Sequence, residues 1–251
     1  MRIGIFGDSY ADPEPRTLID RSQGIMPWML WLEQLSSQTV ETFGKSATNI
    51  WYSYRRFCQH YRDFDRIVFV YTDYQRWLNI NTQEGLAHIV SEHQLPHVPE
   101  QCRDLAESLI KIHPHIYDEA LNRFVFQQVF NTVNRAVKAE NLEIINVLAF
   151  EGIDSAEISI DISSSHGAVL TGLHGVSGLE IIDGSSKIGR YLEHNSDLRF
   201  CHLNPYNNQQ LADVILEQFE QPSALINLLS LDRWRFDPGE LDYLDRYLRD
   251  C

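Results

Sequence analysis

A hydroxyl near the amino terminus and an imidazole near residue 200 frame the chemistry open to this chain. Gly7-Asp-Ser9 follows Arg2 to Phe6, an apolar run bounded by a turn signal and so read as a short buried strand. Gly7 takes backbone angles that residues bearing a Cβ avoid, which suits an abrupt end to that strand. In an open α/β sheet the turn then lies beyond the carboxyl end of the strand, where such sheets bind ligands. Ser9 is therefore a candidate nucleophile, needing a base from elsewhere in the chain and donors for the developing oxyanion. His202 is the candidate base, because it stands just before a helix from which a loop can fold back over the same edge. The plainer alternative is an ordinary turn, with Asp8 bonding local backbone groups.

The elements that must position these groups come in alternation. Thr39 to Phe43 reads as a second strand and ends in the small-residue loop Gly44-Lys-Ser-Ala-Thr48. Arg66 to Tyr71 is nearly all apolar, as in a central strand buried on both faces, and stops at Thr72-Asp73. A helix is expected from Pro27, with Trp28, Trp31, Leu32 and Leu35 on one face. Another is expected from Asn49, with Ile50, Tyr54, Phe57, Cys58 and Tyr61 at helical spacing. A long amphipathic helix carrying Ile116, Ala120, Phe124, Val129, Val133 and Val137 leads into a fourth strand, Leu142 to Leu148. That order indicates a parallel sheet covered by helices on both faces.

The remainder is less regular. Residues 79–114 read as an insertion or lid within a single domain spanning 1–251. Ile158, Ile160 and Ile162 alternate with polar residues as in a half-exposed strand. Gly167 to Gly178 reads as a glycine-rich loop that lacks phosphate-binding spacing. A helix is expected to run to about Phe219, followed by a helical tail over 222–251.

Composition narrows the partners. With 21 basic and 35 acidic residues the net charge is −14, which disfavours nucleic acid and anionic membrane. No stretch has the apolar length of a membrane span, and the amino terminus lacks a signal-peptide plan, so a cytoplasmic protein is expected. The four cysteines form no Cys-x-x-Cys pair, and free thiols are expected. His88, His93, His97, His113 and His115 are a rival metal set. Pro96 breaks the one helical spacing among them, so neither a metal nor another cofactor is expected. The aromatics of Trp51-Tyr-Ser-Tyr54 and Tyr71 to Trp77 suit a sugar-stacking wall or, more simply, core.

The chain resembles the SGNH (GDSL-type) hydrolases. Gly7-Asp-Ser9 matches that family's first block, and Gly44-Lys-Ser-Ala47 looks like the second. Tyr71-Thr-Asp73 stands where the third block carries Gly-x-Asn-Asp, and His202-Leu-Asn, with Asn208 and Leu211-Ala212, is similar to the fifth. The resemblance implies a three-layer α/β/α sandwich with a flavodoxin-like, mostly parallel sheet. It implies that Ser9 attacks an ester carbonyl while His202 takes and returns the proton. The oxyanion would be held by the Ser9 N–H, an N–H from Gly44 to Ala47, and a third-block side chain. Three departures stand out: Thr72 replaces the family's asparagine, Ala47 replaces its second glycine while still offering an N–H, and Arg199 occupies the position of its acid. Asp73 is a poor substitute donor, and Asp197 is the nearest upstream carboxylate that could orient the imidazole. Arg76 could bind an acidic group of the substrate or pair with a nearby aspartate. The expected substrate is a small-molecule or carbohydrate ester with a small acyl group. The altered third block and Asp-x-Arg before the histidine are similar to some phage-encoded and bacterial relatives. The contrasting expectation is therefore a catalytically degraded SGNH fold used for binding or assembly, virion-associated if phage-encoded. Oligomeric state cannot be read from the sequence.

Overall fold

The computed structural model describes residues 1–13, 26–45, 48–72, 118–149, 160–173 and 205–234, together with residue 203 and scattered positions between 104 and 111. Among these residues six strands form one sheet: β1 (Arg2–Phe6), β2 (Thr39–Thr42), β3 (Arg66–Tyr71), β4 (Glu143–Leu148), β5 (Ala168–Thr171) and β6 (Leu225–Asn227). Their order is β2-β1-β3-β4-β5-β6, and every neighbouring pair is parallel. Among the described residues four helices cover it: α1 (Trp28–Ser36), α2 (Ile50–His60), α3 (Glu119–Ala139) and α4 (Pro205–Glu220). The fold is a three-layer α/β/α sandwich.

Period-two alternation along the strands divides the core into two layers. Ile3, Ile5, Val68, Val70, Ile145 and Val147 face α1 and α4, where they meet Trp28, Leu32, Leu211 and Ile215. Phe6, Ile67, Phe69, Tyr71, Ile144 and Leu148 face the other way, onto Phe57, Phe126, Phe130 and Val133 of α2 and α3. Each such fully buried aliphatic or aromatic side chain contributes about 1.5–3 kcal/mol. Among the described residues no helix is long and apolar enough to cross a membrane.

Several elements differ from expectation. The long helix buries Asn122, Phe126, Val129, Phe130, Val133, Asn134 and Val137, while Phe124 is exposed. At about 100° per residue Phe124 lies about 140° from Val129 around the helix, so the two cannot share a face. On α1 Met29 is buried and Leu35 is exposed, and on α2 Cys58 is exposed as a free thiol. Ile162–Ser164 is a 3-10 turn, and the fifth strand is Ala168–Thr171, inside the stretch read as a loop. Its flanking glycines punctuate it for separate reasons. A Cβ on Gly167 would stand 1.8 Å from the Ile144 carbonyl oxygen, and Gly172 has φ 74°. Where the helical tail was expected to begin, Leu225–Asn227 pairs with β5 as a sixth strand; residues 235–251 lie outside the described residues. The expected insertion, 79–114, also lies almost wholly outside them.

Candidate active site

The strand order reverses between β1 and β3, because the chain moves from β1 outward to β2 and then back across to β3. At such a switch point the loops diverge and leave a crevice beyond the carboxyl ends. Ser9 is there. It opens the 3-10 turn Ser9–Ala11, closed by the Ala11 N–H donating to the Asp8 carbonyl at 3.0 Å. Asp8 caps the turn, its Oδ1 accepting the Tyr10 N–H at 3.1 Å. Its Oδ2 accepts the Thr72 hydroxyl at 2.6 Å, so the first and third loops are joined directly. Asp8, Ser9 and Thr72 are all buried.

The second loop presses on the same turn. A Cβ on Gly44 would stand 2.0 Å from the Ala11 carbonyl oxygen, a contact that glycine alone permits. The Thr42 hydroxyl donates to that oxygen at 2.5 Å and accepts the Gly44 N–H at 3.3 Å, while the Lys45 N–H reaches the Gly7 carbonyl at 3.4 Å. The Gly44 and Lys45 N–H groups are thus directed onto the protein's own atoms.

A third set of bonds comes from the opposite layer. The Trp28 indole Nε1–H donates to the Tyr10 carbonyl at 2.6 Å. The Trp28 main-chain N–H donates to Asn208 Oδ1 at 2.9 Å, across 180 residues of sequence. Asn208 Nδ2 in turn donates to the Leu203 carbonyl at 2.7 Å. α1 begins at Pro27 with no side-chain cap of its own. Asn208 supplies that cap from α4, satisfying an N–H that the helix cannot pair internally. Leu203 belongs to the same buried cluster as Tyr10, Ala11 and Trp28. The residue after His202 is therefore tied, through two side chains, to the residue after Ser9.

Ser9, Gly44 and Thr72 are brought together at one edge of the sheet. Ala47, Asp73, Arg76, Asp197, Arg199 and His202 lie outside the described residues. The bridging roles of Trp28 and Asn208 were not legible as such. Asn208 stands among other polar residues in the first turn of α4, and only its burial in the fold marks it. Among the described residues no group of three or more His, Cys, Asp or Glu side chains is placed to hold a metal ion. The five histidines of the rival metal set lie outside those residues.

Nearby phenols are held protonated. Burial pushes the Tyr71 hydroxyl well above its ordinary range, and it donates to Asn146 at 3.0 Å inside the sheet. Burial, with a hydrogen bond to Cys58 next, pushes Tyr54 up to about 12. Neither is poised as a base at neutral pH. Trp51 and Tyr54 pack at 5.4 Å between centroids and stay half-buried at the start of α2.

No protein-family model matches this chain, and no curated protein matches it. Among solved structures it is similar to the lipase/acylhydrolase from Enterococcus faecalis, with 9% identity and a TM-score of 0.43, over 88% of this chain and 97% of that one. It is also similar to a protein from Desulfitobacterium hafniense DCB-2 described as lipolytic and of the G-D-S-L family. That match has 13% identity and a TM-score of 0.27, over 62% of this chain and 82% of the other. Likenesses this distant do not bear on activity.

Proposed function

We propose that the chain is a serine carboxylester hydrolase of the SGNH type, with Ser9 as nucleophile and His202 as general base. The observation that carries this reading is the hydrogen-bonded path Tyr10–Trp28–Asn208–Leu203, whose ends are the chain neighbours of those two residues. Attack of the Ser9 oxygen on an ester carbonyl passes the hydroxyl proton to the His202 imidazole. Collapse of the tetrahedral intermediate expels the alcohol, which takes that proton; water then releases the acid by the same route. Asp197 would orient the imidazole, the Ser9 and Ala47 N–H groups would face the oxyanion, and Arg76 would meet an acidic group of the substrate. The half-buried Trp51–Tyr54 pair, on a helix that starts at the same sheet edge, suits a sugar ring as the alcohol half of the ester.

The contrasting reading is a binding or assembly protein on the same fold. It is favoured by Thr72, whose hydroxyl proton is committed to Asp8. Turnover of p-nitrophenyl acetate by wild type, Ser9→Ala, His202→Ala and Asp197→Asn separates the two. The esterase predicts turnover that disappears in the first two variants and falls in the third. Equal background rates in all four proteins would leave only the binding reading.

A further inference from the structure

We propose that Thr72 is a positioning residue that fixes the Ser9 turn through Asp8, and that it is not itself an oxyanion donor. The inference rests on the esterase reading of Ser9. A threonine hydroxyl carries one proton, and here it is donated to Asp8 Oδ2, the two oxygens standing 2.6 Å apart. Asp8 divides its carboxylate between two elements. Oδ1 accepts the Tyr10 N–H within the turn, and Oδ2 accepts Thr72 at the end of β3. The pairing of β1 with β3 explains why these groups meet. Phe6 stands opposite Phe69 in that parallel pairing, so the turn after β1 and the residue after β3 leave the sheet side by side, with the Thr72 hydroxyl on Asp8.

The two strands are also as close as their side chains allow at this point. A Cβ on Gly7 would come within 2.8 Å of the Val70 Cβ. Asp8, Ser9 and Thr72 are 0%, 3% and 1% exposed, so water does not compete for the Thr72–Asp8 bond. A buried, short bond from a central strand to the cap of a three-residue turn restrains where the next residue's hydroxyl can go. Thr72 thus serves the reaction by holding Ser9 in place, and the oxyanion is left to main-chain N–H groups.

The test is a mutant cycle read on p-nitrophenyl acetate. Thr72→Val, which keeps the shape and removes the hydroxyl, lowers kcat between about tenfold and a hundredfold and leaves KM within about twofold. Thr72→Ser, which keeps the hydroxyl, stays within about threefold of wild type. In an Asp8→Ala background Thr72→Val costs nothing further, because both act through one bond. Wild-type kcat in Thr72→Val overturns the proposal. So does an additive loss in the double variant, which would mean that the hydroxyl reaches the reacting oxygen directly. Exchange of the Tyr10 amide gives a readout that needs no turnover: it quickens in Thr72→Val, and an unchanged rate also overturns the clamp. A wild type without turnover defeats the esterase reading, and the amide exchange still decides the role of Thr72.

Discussion

Replacing Asn208 by leucine tests the bridge between the two halves of the site. The carboxamide accepts the Trp28 N–H at 2.9 Å and donates to the Leu203 carbonyl at 2.7 Å. Trp28, Asn208 and Leu203 are all buried, so water does not replace the lost partners. The two buried groups left unpaired, the Trp28 N–H with its helix cap and the Leu203 carbonyl, cost about 1–3 kcal/mol each. The added apolar surface of leucine returns part of this, which leaves a net loss of about 2–4 kcal/mol. For a domain of this size that lowers the melting temperature by roughly 5–15 °C. Urea unfolding followed by tryptophan fluorescence measures it, with Gln209→Leu on the half-exposed side of α4 as a control expected within about 0.5 kcal/mol of wild type. Turnover per folded molecule should fall in Asn208→Leu, because the Leu203 carbonyl is no longer anchored. A loss below about 1 kcal/mol with undiminished turnover would refute the bridge.

Three further perturbations follow from the same geometry. Gly44→Ala forces a Cβ to 2.0 Å from the Ala11 carbonyl and should cost about 1–3 kcal/mol, measured by urea unfolding, with a matching drop in esterase rate. Asn146→Leu strands the Tyr71 hydroxyl in the core, while Asn134 keeps its bonds to Phe130 and His166, and should cost about 1–3 kcal/mol, with faster proteolysis of the 160–167 segment that Asn146 holds through Ser165. Asp213 is raised by burial and by Glu217, so the folded state binds its proton more tightly than the unfolded chain does. Its contribution is fully present below the unfolded pKa and is lost as pH rises through the folded one. Asp213→Asn should therefore raise the melting temperature at neutral pH, by an increment that shrinks as pH falls through the carboxylate range.

The first and third strands were legible because each is a mostly apolar run ended by a small or polar turn, and the second because Thr39-Val-Glu-Thr-Phe43 is rich in β-branched residues and stops at Gly44. Arg66–Tyr71 is the clearest case: after Arg66 it is an unbroken buried run because both of its faces are covered. Ala168–Thr171 and Leu225–Asn227 were hidden because each is a short, mostly apolar stretch without alternation, the first between glycines, and only sheet pairing makes them strands. Asn134 and Asn146 were hidden for another reason. A polar residue at a core position looks like a break in the pattern until its partner, twelve residues away in sequence, is seen to satisfy it. At the candidate site the type of each loop residue was readable, and its bonding was not. Thr72 was read as a short stand-in for a donor, while in the fold its hydroxyl is directed to Asp8. Trp28 was read as core, and it is core that also carries two hydrogen bonds of the bridge.

The most direct measurement of the central claim is mass-spectrometric mapping of the adduct left by a fluorophosphonate ester, which captures an activated serine. The account predicts a single adduct on Ser9 in the wild-type protein and its loss in His202→Ala. An adduct on another residue, no adduct at all, or equal labelling of Ser9 in His202→Ala would contradict it.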